Sequence, residues 1–389
     1  MIRCSELENS YDVNLITSRV THCCKYTGRP LSQEEVKQHS WRILDLNKET
    51  VKSRQDLANN IQTENCQDCW DVESQGIKSW RQIHNDLELD SDKVKFNVQL
   101  SSLCNQSCLY CHNSLSSSIA RFEYWVNAET GQRELNTLHK QPQLLTIEHV
   151  IDFVANLPVT KKSIVLGFTG GEPFIVDKFN ENIETLVRTY FEKDPSRHMT
   201  LVFSSNGNVD VENLSNFYTR LKSLKSQYNL KLSIGLSIEN LFERAEYIRQ
   251  GLSWANFMSN FDIHYKNADE VKFKLTVNAF SIVNIADFVK YFKEYNVSFT
   301  YGYTQQTFFR SNILDLSFLK EVQRLEEYLK SSNTEHRFPN YQVLYDTITD
   351  DQANAKIFKS AITDLDLIRG TNWRLVFPEY QQWFENIAK

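Results

Sequence analysis

The chain has no run approaching the roughly 18 consecutive apolar residues that would cross a bilayer. Its first residues, "MIRCSELENSYDVN", hold no apolar signal-peptide core. These two absences argue against a membrane span and a secretory route, so the expected location is the cytoplasm, with no membrane partner. A basic excess is also missing. Lys and Arg number 43 against 49 Asp and Glu, a formal net charge of −6, whereas non-specific nucleic-acid binding usually needs a basic face. Nucleic acid is therefore not an expected partner. No internal repeat, low-complexity tract or long Gly/Pro linker interrupts the 389 residues. What is present, 41% hydrophobic and 24% charged residues, fits a soluble globular protein with a sizeable core, long enough for one large domain and a smaller one or for two to three ordinary domains. Eight cysteines remain to be explained. In a reducing compartment, patterned cysteines point to metal or catalysis rather than to structural bridges.

From about residue 94 the chain alternates β-rich runs with helical patterns. The runs "VKFNVQL" (94–100), "SIVLGF" (163–168), "MTLVFS" (199–204), "LKLSIGLS" (230–237), "VKFKLTVNA" (271–279) and "VSFTYGY" (297–303) read as strands. Between them, "TIEHVIDFVANL" (146–157) and "NIADFVKYFKEY" (284–295) read as amphipathic helices, with Thr146 and Asn284 as helix starts. Six such alternations predict a parallel sheet with crossover helices, open or curled into a partial barrel. Residues 113–143 read as a polar connection in which "IARFEYWV" is helical or a short strand. Residues 1–90 read as a mostly helical, cysteine-rich module. Residues 311–389 form a C-terminal extension, helical at 317–330.

In folds of this kind functional groups gather at the carboxyl ends of the strands. "LSSLCNQSCLYCHN" (100–113) follows the first strand and carries Cys104, Cys108 and Cys111. Three converging thiolates suit a metal site better than a disulfide, which would leave one over. "TGGEPF" follows the second strand, "SSNG" ends the third and "SIE" ends the fourth, so four unusual stretches fall on one expected rim. Three thiolates on a four-iron cluster leave one iron without a protein ligand, open to a small chelating molecule. Zinc with a fourth ligand, His112 being adjacent, is the competing reading of the spacing.

With these motifs in order, the chain resembles the radical S-adenosylmethionine (SAM) superfamily. The resemblance implies a partial (β/α)6 TIM-like barrel core over residues 91–310 that holds a [4Fe-4S] cluster on Cys104, Cys108 and Cys111. It also implies that the open iron chelates SAM and that one electron cleaves the sulfonium, giving a 5′-deoxyadenosyl radical that takes a hydrogen atom from substrate. Tyr110 is similar to the aromatic that this family places beside the adenine; a core tyrosine is the plain alternative. Gly170, Gly171, Glu172 and Pro173 match the GGEP motif, in which paired glycines let backbone approach the ligand and the acid suits an ammonium group. Ser205 and Asn206 resemble the strand-end motif that reaches the SAM ribose or carboxylate, although such a sequence is also an ordinary turn. Ser237 and Arg249 fit the pair that holds the SAM carboxylate, or Arg249 is a solvated helix residue. Glu239 stands where the family has a shorter acid, and Asn278 ends the fifth strand.

The amino-terminal module has Cys23 and Cys24, then Cys66 and Cys69, thiols enough for a second site: zinc with four thiolates, an auxiliary iron–sulfur cluster, or a core without metal. "CxxCWxxExxGxxSxR" after an earlier Cys-Cys resembles a twitch-type (shortened SPASM) module, and "AEYIRQGLSW" (245–254) and "RGTNWRLVFPE" (369–379) also resemble that group. The auxiliary cluster over 1–90 is what this likeness implies. Cys4 reads as a spare thiol or a completing ligand, and Trp70 and Trp80 as packing. The expected function is radical modification of a peptide or protein, supplied with electrons by a low-potential donor such as flavodoxin or ferredoxin. Modification of a small molecule, a sugar or nucleoside, is the first alternative. A non-catalytic metal-binding interaction protein is the alternative from another class; it would leave the GGEP and Ser-Asn-Gly residues without a task.

Overall fold

The computed structural model describes residues 4–23, 34–35, 48–74, 79, 81–82, 85, 92–127, 130–136, 144–304 and 306–387. Among these lie twelve strands: β1 (Ser10–Asn14), β2 (Arg19–Thr21), β3 (Lys93–Gln99), β4 (Ser107–Cys108), β5 (Tyr124–Val126), β6 (Arg133–Leu135), β7 (Ser163–Thr169), β8 (His198–Ser205), β9 (Leu230–Ser237), β10 (Arg249–Gln250), β11 (Glu270–Val277) and β12 (Ser298–Tyr303). Eight of them form one mostly parallel sheet in the order β12-β11-β9-β8-β7-β3-β1-β2. Two short antiparallel ladders, β4 with β10 and β5 with β6, stand apart from it.

The six strands read from the sequence are β3, β7, β8, β9, β11 and β12, each within two residues of its expected bounds. They lie side by side in chain order, and the registers β3–β7, β7–β8, β9–β11 and β11–β12 are all parallel. Parallel neighbours need crossovers, supplied by helices at Ile147–Ala155, Phe179–Glu192, Val211–Lys225, Trp254–Asn267 and Ile285–Tyr291. In β3 the alternation buries Val94, Phe96 and Val98. In β9 burial is nearly continuous, as for a strand covered on both faces. Thr146 caps its helix through a reciprocal box with His149, and Asn284 adopts the left-handed conformation, φ 63°, ahead of the other. The mixed α/β class is thus as expected.

The described part of the amino-terminal region is more helix than strand, and it also holds two strands that the sequence reading does not give. Helices occur at Ser5–Asn9, Lys48–Ala58 and Gln67–Ser74, but β1 adds a parallel strand outside β3, and β2 an antiparallel one outside β1. The exposed edge of β3 is what recruits it. Leu15 N–H donates to Gln99 O at 3.0 Å, Asn14 Nδ2 donates to Gln99 Oε1 at 2.6 Å, and Tyr11 stacks on Phe96 with centroids 4.9 Å apart.

The chain divides into two compact units of interleaved segments. One comprises 1–101, 140–203 and 215–232. Its core includes a knot of rings, Phe168, Phe174, Phe179, Phe203 and Phe217, with Phe168 and Phe203 stacked at 5.2 Å. The other comprises 102–139, 204–214 and 233–389. There Phe257, Phe261, Phe273, Phe292 and Phe299 pack together. In the C-terminal extension a helix runs over Leu319–Ser332 and a longer one over Gln352–Arg369. Among the described residues no helix is long and apolar enough to cross a membrane.

Candidate metal centre

The three-cysteine loop is fixed by its own polar side chains. Cys104 N–H donates to Ser117 Oγ at 3.0 Å, and Ser118 Oγ donates back to Cys104 O at 2.7 Å. Ser116 Oγ donates to Gln106 O at 2.7 Å. Beyond the loop, β4 pairs with β10 so that Cys108 stands opposite Arg249, and Leu109 N–H donates to Ile248 O at 2.9 Å. The backbones meet closely here. At Gly251, φ +97°, an added Cβ would lie 2.6 Å from Asn105 O, so this position requires glycine.

Arg249 is 5% exposed and Glu239 1%. Arg249 Nε donates to Glu239 Oε2 at 2.7 Å and Nη2 donates to Oε1 at 2.5 Å. Glu239 Oε1 also accepts from Tyr110 Oη at 2.7 Å and from Thr276 N–H at 3.1 Å. The remaining guanidinium nitrogen, Nη1, donates to Cys108 Sγ at 3.7 Å. A two-pronged, almost fully buried ion pair thus presents its third donor to the middle cysteine. Burial alone would lower the Arg249 pKa; Glu239, with Tyr110 and Cys108, raises it well above its ordinary value, so the guanidinium stays charged. Burial pushes the Cys108 thiol up to about 12; Arg249 opposes this, while Cys111 and Cys104 add to it. Burial likewise pushes Cys111 up to about 11, with Cys104 adding to it.

The three sulfurs are therefore near enough to influence one another, and none of the three is disulfide-bonded. Among the described residues no set of three His, Cys, Asp or Glu side chains is grouped so as to hold a single metal ion. An iron–sulfur cluster takes its thiolates on separate irons, so it asks for three soft donors around a shared space. Thiolate is the ligating form; burial favours the neutral thiol at Cys108 and Cys111, and the Arg249 charge opposes this at both.

The other expected residues are placed as follows. Tyr110, Asn206, Glu239 and Arg249 come together with the cysteines. Asn206 Nδ2 donates to Asn105 Oδ1 at 2.7 Å and lies 3.9 Å from Cys104 Sγ. Ser205 is buried, and its Oγ accepts from Gly207 N–H at 3.0 Å. Ser237 ends β9 half-buried, opposite Lys274. Asn278 serves as a helix cap: its Oδ1 accepts from Phe280 N–H at 2.9 Å and its Nδ2 donates to Thr276 O at 2.8 Å. In the other unit, Gly170 has φ +118° and Gly171 N–H donates to Ser101 O at 2.6 Å. Glu172 is buried and accepts from Phe174 N–H at 3.1 Å, capping the short turn that begins at Pro173.

Of the amino-terminal thiols, Cys24 lies outside the described residues. Cys4, Leu7, Leu57 and Trp70 form a buried cluster against which Cys23 and Cys66 pack. Cys69 is buried too. Burial pushes Cys66 up to about 12; Cys4 and Cys69 add to this and Arg81 opposes it. Arg81 itself pairs with Glu73 at 2.6 Å and covers the Trp70 ring. Cys4, which has no spacing motif to mark it, thus belongs with Cys66 and Cys69. Asn105, which anchors Asn206, is marked by no sequence signal beyond its place in the cysteine loop.

No known family model matches the chain, and no curated protein matches it.

Proposed function

We propose that the chain is a radical SAM enzyme, its sheet curled into a partial barrel, which acts in the cytoplasm on a peptide or protein. The reading is supported most by one convergence. Cys108, Tyr110, Asn206, Glu239 and Arg249 come from four separate stretches chosen for their likeness to that superfamily, and hydrogen bonds gather them around the cysteine loop. Cys104, Cys108 and Cys111 would hold a [4Fe-4S] cluster, and Cys4, Cys23, Cys24, Cys66 and Cys69 would supply the ligands of a second. When bound with SAM, the first cluster supplies the electron that makes the hydrogen-abstracting radical. The chain's own part is positional. Arg249 holds the Cys108 sulfur and offsets thiolate charge; Glu239 fixes the guanidinium plane; Tyr110 and the Thr276 N–H donate to Glu239 Oε1 and hold the carboxylate in place. Asn206 and Asn105 pin the start of the loop. The roles expected of the Gly170-to-Pro173 turn and of Ser237 toward SAM belong to the same proposal, as does a flavodoxin or ferredoxin donor.

The test is anaerobic reconstitution with iron and sulfide, then reduction in the presence of SAM. 5′-Deoxyadenosine is expected, together with iron in excess of one cluster per chain. Intact SAM under strong reduction would favour the metal-binding interaction protein instead.

A further inference from the structure

Parallel strands are usually covered on both faces and read as near-continuous apolar runs. β11 does not. Its Phe273, Leu275 and Val277 are buried on one face, whereas Lys272, Lys274 and Thr276 alternate with them and are only half-buried. Across the register this polar face has two rows, Gly235–Lys272–Ser298 and Ser237–Lys274–Thr300, in which only the lysines are larger than threonine. Beyond them Gly302 stands opposite Thr276. Thr300 and Gly302 are exposed, and a Cβ added at Gly302 would meet nothing within 4 Å. Small side chains and open space thus lie beside two cations.

The two cations differ. Lys272 pairs with Glu270 at 2.9 Å. Lys274 crosses Gly235, where an added Cβ would lie 2.3 Å from its Cε, and its Nζ donates to Ser204 Oγ at 2.7 Å. Among the described residues the ammonium makes no ion pair and no second hydrogen bond. Burial lowers the Lys274 pKa and Lys272 adds to this, so nothing around it favours the charge. An ammonium carries three donors, and two are left over. Desolvating a cation without an opposite charge is costly, and an oxyanion supplies both the charge and the acceptors. The face also adjoins the candidate metal centre, within the same compact unit. Lys274 O accepts from Ile238 N–H at 3.2 Å, and Thr276, two residues on, holds Glu239. Ser204 lies two residues before Asn206, which is 3.9 Å from Cys104 Sγ. We infer that this face receives an oxyanion of the substrate, a carboxylate or a phosphate, with Lys274 as the group that pairs with it. Calling the ligand a substrate rests on the radical SAM reading; the binding rests on the sheet face.

Calorimetric titration of the anaerobically reconstituted full chain tests it. The probes are two acids and their neutral counterparts: a capped Gly-Glu-Gly peptide against its glutamine form, and glycerol phosphate against glycerol. At least one acid is expected to bind, at least tenfold tighter than its counterpart. Binding by the peptide alone assigns a carboxylate, and by glycerol phosphate alone a phosphate. Lys274→Met should weaken that acid at least tenfold and abolish its preference over the neutral form. Without probe, the same variant should unfold at or above the wild-type midpoint, because it removes a charge that the fold leaves unpaired. Gly302→Trp has room for its Cβ and places a ring within diagonal reach of Lys274; it should abolish binding with the ammonium intact. No acid binding at millimolar concentrations, equal binding of acid and counterpart, wild-type binding by either variant, or a lowered midpoint for Lys274→Met overturns the inference. So does displacement of the acid by SAM, which would give Lys274 to the cofactor. These measurements use no turnover. Acid binding without 5′-deoxyadenosine formation would therefore sink the radical reading alone.

Discussion

Glu239 and Arg249 each cost several kcal/mol to dehydrate, and they are tolerable only as a pair with every strong partner in place. Arg249→Leu leaves the Glu239 carboxylate buried with Tyr110 and Thr276 alone, so urea unfolding should show a loss of about 3–5 kcal/mol. The double variant Glu239→Leu/Arg249→Leu should recover much of that loss; a double variant weaker than the single one would refute the pairing argument. His264 gives a separate test at low pH. Burial lowers its pKa from 6.5 to about 3. The folded chain thus keeps the ring neutral while the unfolded chain takes up a proton. The stabilising contribution is complete above pH 6.5 and is lost as pH falls toward 3. Denaturation midpoints measured across that window should fall, and His264→Leu should flatten the slope. The sequence made Arg249 legible as a cation of the site but not its partners. Glu239 lies ten positions away and Cys108 far upstream, and no periodicity links residues that meet only through the sheet. Asn278 shows the reverse case: its place at a strand end was readable, yet its side chain is spent on a cap.

The elements most legible in the sequence were those with long alternating or apolar runs, β3 through β12 of the main sheet, because burial on one or both faces writes itself into residue type. β1 and β2 were missed for the same reason. "SYDVN" offers only Tyr11 and Val13 as buried apolar residues, and its stability comes from the edge of β3 rather than from its own pattern. The Gly-Gly turn after β7 was legible because glycine marks backbone that other residues cannot follow. Gly170 bears this out: φ is +118°, and an added Cβ would stand 2.6 Å from Ser101 O and 3.1 Å from Ser101 N. Backbone atoms cannot step aside as a flexible side chain would. An unstrained Gly→Ala change stabilises by up to about 1 kcal/mol; here Gly170→Ala should instead destabilise, and by more than that amount, read as a lower midpoint in thermal unfolding. A midpoint equal to wild type would mean that the turn relaxes freely.

At the scale of the whole molecule, the thiols fall in two groups, each within one compact unit. Cys104, Cys108 and Cys111 influence one another in the first group; Cys4, Cys66 and Cys69 do so in the second, with Cys23 packed on the same cluster. Two groups, one in each unit, predict two separable iron populations. If both hold four-iron clusters, the triple variant Cys104/Cys108/Cys111→Ala should retain about half the iron and sulfide of wild type after anaerobic reconstitution, and should lose all SAM cleavage. Adding Cys4→Ala to that background then tests the second group directly. Remaining iron should fall if Cys4 ligates and stay constant if Cys23, Cys24, Cys66 and Cys69 suffice. A triple variant that holds zinc and no iron would remove the second cluster altogether and leave the amino-terminal thiols a structural zinc site. The first group's chemistry would stand unaffected, because each unit's donors come from its own segments.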